Sequence, residues 1–211
     1  MGNEHRQAAW QKKSQRCIGA QACCGNASDV AGRLRIPLDV GGDGRRQGTI
    51  GCEILQDLDD VDTVIVRRRR RPNLGNRYRH KRNETIGARY GAEPALTPKY
   101  FHSRIKKERT SLPLKNTIAD GLRISVPGQN PYPIIEKYVD EIVLVEDEHI
   151  IAGMRALAKD AKLIAEPAAS IGVGALLAGS IDVKPDEKVC AVLSGGNWDL
   201  RDLAEIYNLA G

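Results

Sequence analysis

Hydrophobic and polar positions follow clear periods over the C-terminal half of the chain. The stretch YPIIEKYV (132–139) puts Ile134, Ile135 and Tyr138 on one helical face, which predicts a short helix. EIVLV (141–145) is a bounded apolar run and predicts a strand. Glu146, Asp147 and Glu148 follow, and three carboxylates suit a helix start, where the macrodipole favours negative charge. That helix is expected to run to about Lys162, with Ile150, Met154, Leu157 and Ala161 at helical spacing. Glu166-Pro167 predicts a second helix over ASIGVGALLAG, because proline fits a first helical turn and Gly179 suits the stop. KVCAVL (188–193) predicts a strand entering Ser194-Gly195-Gly196-Asn197, and a last helix covers about 200–209. Strands alternating with helices predict an α/β sheet with helical cover.

Upstream lies one more good unit. QGTIG (47–51) leads into a helical pattern, GCEILQDL, then Asp59-Asp60 and a strand pattern, DTVIV (62–66). From Arg67 to about Tyr90 the pattern fails: the chain reads RRRRRPNLGNRYRHKRN without an amphipathic period. Residues 1–46 are similarly poor, holding Gly, Arg and Cys with no periodic apolar face. The expected organisation is therefore a poorly ordered 1–46 and an α/β region at 47–211, interrupted by an aberrant Arg-rich segment at 67–90.

Composition sharpens this picture. With 211 residues the chain suits one large domain or two small ones. The net charge of +5 hides an asymmetry: residues 1–115 carry 24 basic and 12 acidic side chains, residues 116–211 carry 8 and 15. A basic half can bind polyanions. Yet aromatics are only 4% of the chain, so stacking platforms for bases are sparse, and Tyr78 alone interleaves the arginine run. No nucleic-acid-binding motif is present, and a charge run is usually a solvated segment, so only non-specific, salt-sensitive binding is expected there. Cys17, Cys23, Cys24, Cys52 and Cys190 are odd in number and form no paired CxxC set; they read as free thiols in a reducing compartment. No apolar run is long enough to span a membrane and the first residues lack a signal-peptide core, so a cytoplasmic protein is expected. His5, His80, His102 and His149 are scattered and give no metal-ligand set.

Several spaced motifs occur in one order: KNTIADG (115–121), PGQNPYPII, YVDEIVLVEDE, AEPAASIGVGALLAG and VLSGGNWDL, with QGTIGCEIL, DVDTVIV and GAEP (91–94) upstream. Together they resemble the serine/threonine dehydratase group of fold-type II pyridoxal-phosphate enzymes, over about 47–66 and 91–211. The resemblance implies a fragment of a fold of two α/β domains with the cofactor between them, residues 1–46 being a remnant of the small one. It also implies a cofactor held as a lysine imine, loss of a β-hydroxyl from a small amino acid, and release of a 2-oxo acid and ammonia. The cofactor is the electron sink; the protein orients it. Members often self-associate, so a homo-oligomer is implied.

The same resemblance nominates site residues. Ser194 matches the serine that hydrogen-bonds the pyridine nitrogen; its bland alternative is a serine in a strand-to-helix turn. Gly195 and Gly196 let the backbone turn beside the ring. Glu166 lies in the motif near the cofactor, or is a plain helix-start carboxylate. Asn3, in MGNEHRQ, matches a loop asparagine near the cofactor hydroxyl, or is part of a frayed terminus. Asp120 reads as structural. Some relatives bind a cation through the glutamate of the GxEP motif and a nearby aspartate; Glu93 keeps the first, Lys99 stands about where the second should be, and no metal is expected.

Two departures stand out. No S-F-K-x-R-G motif occurs, so no residue is nominated as the imine lysine or as catalytic, and the chain is expected to begin after that place. Where the family runs from its strand into phosphate-cradling glycines, this chain has arginines. Arginine codons of the form CGG, read one base on, become GGC, glycine. The same offset carried through 67–84 permits a run resembling the family's phosphate loop and helix, and VGGDGR (40–45) permits a run resembling the residues before QGT. The hypothesis is that compensating frame changes scrambled parts of a dehydratase gene. Codons other than CGG at Arg68–Arg71 contradict it.

Overall fold

The structure is a computed structural model and describes residues 54, 57, 58, 61–67 and 87–208. Its centre is strand β1 (Thr63–Arg67), TVIVR, buried at every position. Three of its residues are β-branched and apolar, which suits a strand covered on both faces. Strand β2 (Ala88–Pro94) pairs with it in parallel, Thr63 opposite Ala88 and Arg67 opposite Ala92. After β2 come helix α1 (Lys99–Lys106), a short 3₁₀ turn (Asp120–Leu122) and helix α2 (Pro131–Tyr138). Strand β3 (Glu141–Val145) then pairs in parallel with β2.

Helix α3 (Asp147–Ala156) carries Asp147 and Glu148 in its first turn and Arg155 in its last, as the macrodipole favours. A π-type turn, Leu157–Ala161, continues it to Lys162. Helix α4 (Pro167–Leu177) has proline in its first turn, and Gly179 follows with φ of 68°. Strand β4 (Val189–Ala191) pairs in parallel with β1, and helix α5 (Leu200–Asn208) ends the described chain. The sheet order is β3-β2-β1-β4.

Pairing and alternation fix two faces. Residues opposite one another in a parallel ladder point the same way, and successive residues alternate. Ile65, Ala92, Val143 and Val145 therefore share one face, where they pack with Ile150, Ala168, Ile171 and Ala175 of α3 and α4. On the other face Val64 and Val66 pack with Ile54 and Val61, while Ile142 packs with Tyr100 and Ile135 of α1 and α2. Helix α4 is buried at nine of its eleven positions, which explains an apolar sequence with no polar stripe. Its small residues let α3 come close: a Cβ on Gly174 would lie 2.6 Å from the His149 carbonyl oxygen.

The predicted elements of the C-terminal half are all present, with bounds shifted by a residue or two. The strand predicted at 188–193 has a ladder of three residues, extended by the Val192 amide donating to the Ile65 carbonyl at 3.0 Å. The pattern expected to fail from Arg67 to Tyr90 is ordered at both ends: Arg67 closes β1, and Ala88 opens β2. Ile54 and Asp57 are helical, as the upstream pattern predicts. The rest of that helix, residues 1–46, the arginines at 68–71 and the segment to 86 lie outside the described residues.

Candidate functional site

The chain runs β1, β2, β3 to one side of the sheet and then returns to place β4 on the other side of β1. Strand order reverses between β1 and β4. In open parallel α/β sheets, ligands bind at such a switch point, outside the carboxyl ends of the strands. Here those ends are Arg67 and the segment Val192–Gly196 that leaves β4.

Three elements converge on this edge. Glu166 precedes α4 with extended backbone (φ −64°, ψ 156°), as an N-cap residue should, yet its side chain makes no capping bond to the helix amides. Its own amide donates to the Gly195 carbonyl at 3.1 Å. Gly195 has φ of 132°, and a Cβ built on it would stand 2.5 Å from the Glu166 carboxyl carbon. The positive φ favours glycine, and a side chain there would also have to push the Glu166 carboxylate aside. Gly196 lies beside the Ile164 carbonyl, with a built Cβ at 3.1 Å, and its own carbonyl accepts from the Trp198 amide at 3.0 Å. Ser194 is half-buried immediately before them.

The third element is Arg67. It lies two residues beyond Ile65 and so points to the face that α4 covers. Its Nη1 donates to Glu166 Oε1, and the two form an ion pair. The Arg67 Nε is buried and has no acceptor. Sequence reading assigned Arg67 only to the basic run. The signal was available: position 67 shares the buried face of Ile65, and a charge buried there needs a partner.

Neighbouring groups hold the edge in shape. Thr117 Oγ1 donates to Asp147 Oδ1 at 2.6 Å and the Ile118 amide to Asp147 Oδ2 at 2.9 Å, tying the KNTIADG segment to the start of α3. The turn after it brings Gly121 against α4, a built Cβ lying 3.3 Å from Ala168 Cβ and 3.8 Å from Glu166 Oε1. Lys99 Nζ donates to the Leu122 carbonyl at 3.1 Å and to Glu93 Oε1 at 3.2 Å, with both charged side chains fully buried. The Glu93 carboxylate also accepts the Tyr100 and Phe101 amides, each at 3.0 Å. Asp120 is exposed and pairs with Arg123 at 3.3 Å. Among the described residues no group of His, Cys, Asp and Glu could hold a metal. Asn3 lies outside the described residues.

Of the nominated residues, the structure thus brings Glu166, Gly195 and Gly196 together, with Ser194 adjoining, and adds Arg67. A parallel α/β sheet covered on both faces, with a glycine turn, a hydroxyl and an ion pair at its switch point, is the architecture in which cofactor- and nucleotide-binding α/β proteins hold their ligands. The family description "pyridoxal-phosphate dependent enzyme" matches residues 41–195, and the chain belongs to that family. It is 36% identical over 202 residues to an L-threonine ammonia-lyase of Geobacter sulfurreducens, covering 89% of this chain and 47% of that one. Maize serine racemase superposes with a TM-score of 0.65 at 29% identity, over 78% of this chain and 51% of that one. The processed form of threonine deaminase isoform 2 from Solanum lycopersicum has a TM-score of 0.68 at 24% identity, over 78% of this chain and 46% of that one, and shows the shared fold-type II architecture. This chain spans about half the length of these relatives.

The family cofactor needs an anchor for its phosphate, a partner for its ring nitrogen and an amine for its aldehyde. Arg67, buried with an Nε that has no acceptor, is a cation that could meet the first requirement, and Ser194, expected to meet the second, adjoins the glycine turn. The buried lysine at this end of the sheet, Lys99, has its amine engaged by Glu93 and Leu122.

Proposed function

We propose that this chain is the cofactor-facing part of a pyridoxal-phosphate-dependent threonine or serine ammonia-lyase, and that by itself it does not complete the reaction. Residues 47–211 make its large-domain-like region, with the aberrant segment at 67–90, and residues 1–46 are a remnant of the small domain. The observation that carries this reading is the meeting of Glu166 with Gly195 at the switch point, where the Glu166 amide donates to the Gly195 carbonyl at 3.1 Å. Two separate sequence motifs of the resemblance adjoin there.

When bound, pyridoxal phosphate supplies the electron sink for chemistry at the amino acid's Cα. The chain's own residues bind and orient. Ser194 offers the ring nitrogen a neutral hydroxyl, Gly195 and Gly196 keep side chains away from the ring, and Arg67 balances phosphate charge. Glu166 fixes the glycine turn, and Asn3 is the remaining cofactor contact of the proposal. No residue is assigned as the amine or as the acid or base that moves the Cα proton, and no metal is assigned. The substrate class is a small hydroxy amino acid. A homo-oligomer and a cytoplasmic setting complete the proposal; exposed Ile105, Leu114 and Ile164 offer apolar surface for the first.

Nucleic-acid binding has no support in the described residues. Arg67 is buried against Glu166, and no described helix is long and apolar enough to cross a membrane. The test is direct: purified chain, pyridoxal phosphate and L-threonine or L-serine, followed by 2-oxo acid and ammonia release. The expected result is no release above free cofactor. Turnover at an ordinary enzyme rate, about 1 s⁻¹ or faster, contradicts the reading.

A further inference from the structure

The turn that faces Glu166 has no side chains of its own at Gly195 and Gly196, and residues 195–197 are exposed. Its position therefore depends on what holds the chain at either end. Upstream, the Val192 amide donates to the Ile65 carbonyl at 3.0 Å and fastens the chain to the sheet. Downstream, the Trp198 amide closes the turn onto the Gly196 carbonyl at 3.0 Å. Trp198 itself packs against Met154 and Ile206, which joins the turn to α3 and α5. Helix α5 starts directly afterwards, with the Arg201 amide donating to Asp199 Oδ1 at 2.9 Å as an N-cap contact. It has nine residues, too few for a helix to be stable alone in water, so it depends on its docking. That docking has two parts. Ile206 is buried against Met154, and Arg155, in the last turn of α3, donates to the Ile206 carbonyl through Nε at 3.1 Å and Nη2 at 2.7 Å. The last carbonyls of a helix have no partner within it, so the guanidinium caps α5, and two donors on one oxygen fix its direction as well as its distance.

We propose that Arg155 is a positioning residue for the Ser194–Gly196 turn: by holding the end of α5 on α3, it fixes Trp198 and through it the place of the turn against Glu166. Arg155 touches neither Glu166 nor the glycines, and acts through α5 and Trp198. Without its two hydrogen bonds α5 loses its cap, the downstream end of the turn is released, and the Gly195 carbonyl is no longer held in reach of the Glu166 amide. The upstream end stays fastened, because Val192 bonds to β1. The inference rests on the functional reading above for what the turn faces, the cofactor ring; the positioning of the turn stands on the contacts alone.

The test is amide hydrogen exchange on the full chain, wild type against Arg155→Met, which keeps an apolar stem but no donor, and Arg155→Lys, which keeps one. The Glu166 and Trp198 amides report the turn, and the Val192 amide reports the sheet beside it. The expected result in Arg155→Met is exchange about tenfold or more faster at Glu166 and Trp198, with Val192 unchanged. Arg155→Lys should fall between the two. Calorimetric titration with pyridoxal phosphate accompanies each protein, and binding should weaken about threefold or more in Arg155→Met, because the turn is then correctly placed for a smaller fraction of the time. Unchanged exchange at Glu166 and Trp198 overturns the inference. Equal acceleration at Val192 overturns it too, since Arg155 would then stabilise the whole fold and not the turn. If Arg155→Met does not fold, wild type in low denaturant decides: the Glu166, Trp198 and α5 amides should open together, before those of β1 and β2, and separate openings overturn the inference. Faster exchange at the turn with no binding of pyridoxal phosphate by any of the three proteins upholds the positioning and counts against the functional reading.

Discussion

Lys99 and Glu93 meet at 3.2 Å with both side chains fully buried, so neither charge can turn to water. Removing one partner of such a pair strands the other. Lys99→Met is expected to cost about 3–5 kcal/mol in denaturant unfolding. Glu93→Gln/Lys99→Met should cost less than the two single changes added together, with a coupling of about 1–3 kcal/mol. Additive losses would mean the pair does not act as one unit. Gly195→Ala meets two obstacles, a φ of 132° and a Cβ 2.5 Å from the Glu166 carboxyl carbon. Its expected loss is about 1–3 kcal/mol in thermal unfolding, and an unchanged midpoint would deny the tight turn. At the sheet edge, the side-chain hydrogen bonds from Arg89 hold the Asp140 carboxyl below its ordinary range, against an opposing effect of burial. A carboxylate with a lowered native pKa adds stability above its unfolded pKa, about 3.9, and loses it as pH falls through the native value. Asp140→Asn should therefore weaken the fold near pH 7 by less than about 1 kcal/mol, since both groups are partly exposed. The gap to wild type should close below pH 4. A gap that persists in acid would point to packing instead.

Elements differ in how far the chain's pattern announces them. EIVLV reads as a strand at sight, and α4 reads as a helix from Glu166-Pro167 and its small apolar residues. Strand β2 does not: ARYGAEP contains Gly, Ala and Pro, poor strand formers, and becomes a strand because β1 and β3 pair along its two sides. Helix α1, KYFHSRIK, buries Lys99, Tyr100 and Ser103, and no apolar stripe marks it beforehand. The site was legible as separate motifs, Glu166 in one and Ser194–Gly196 in another. Their meeting depends on sheet order, which spacing along the chain does not encode. Packing of α3 on α4 depends on missing side chains: a Cβ on Gly174 would stand 2.6 Å from the His149 carbonyl oxygen. Gly174→Ala must push the helices apart, and overpacking of this kind costs about 1–3 kcal/mol. Unfolding by urea should register it, while Gly179→Asn, at a helix stop with φ of 68°, should be much milder. The reverse ranking would contradict close packing of the two helices.

At the scale of the molecule, membership in the pyridoxal-phosphate family and a fold-type II sheet stand beside a chain about half the length of its relatives. Its basic first part and acidic second part differ in charge, and the arginines of 68–71 follow directly on the buried Arg67. The frame hypothesis for those arginines is a statement about codons, and reading the gene at Arg68–Arg71 decides it. In the function we propose, the chain keeps the scaffold that faces the cofactor without the amine that holds it covalently. The most direct measurement is the absorbance of the purified chain with pyridoxal phosphate, before and after borohydride reduction, followed by mass analysis of its peptides. The expected result is cofactor that dialyses away and no lysine carrying a reduced label. A visible band that borohydride removes, with one lysine labelled, would contradict it and show that another amine has taken the anchoring role.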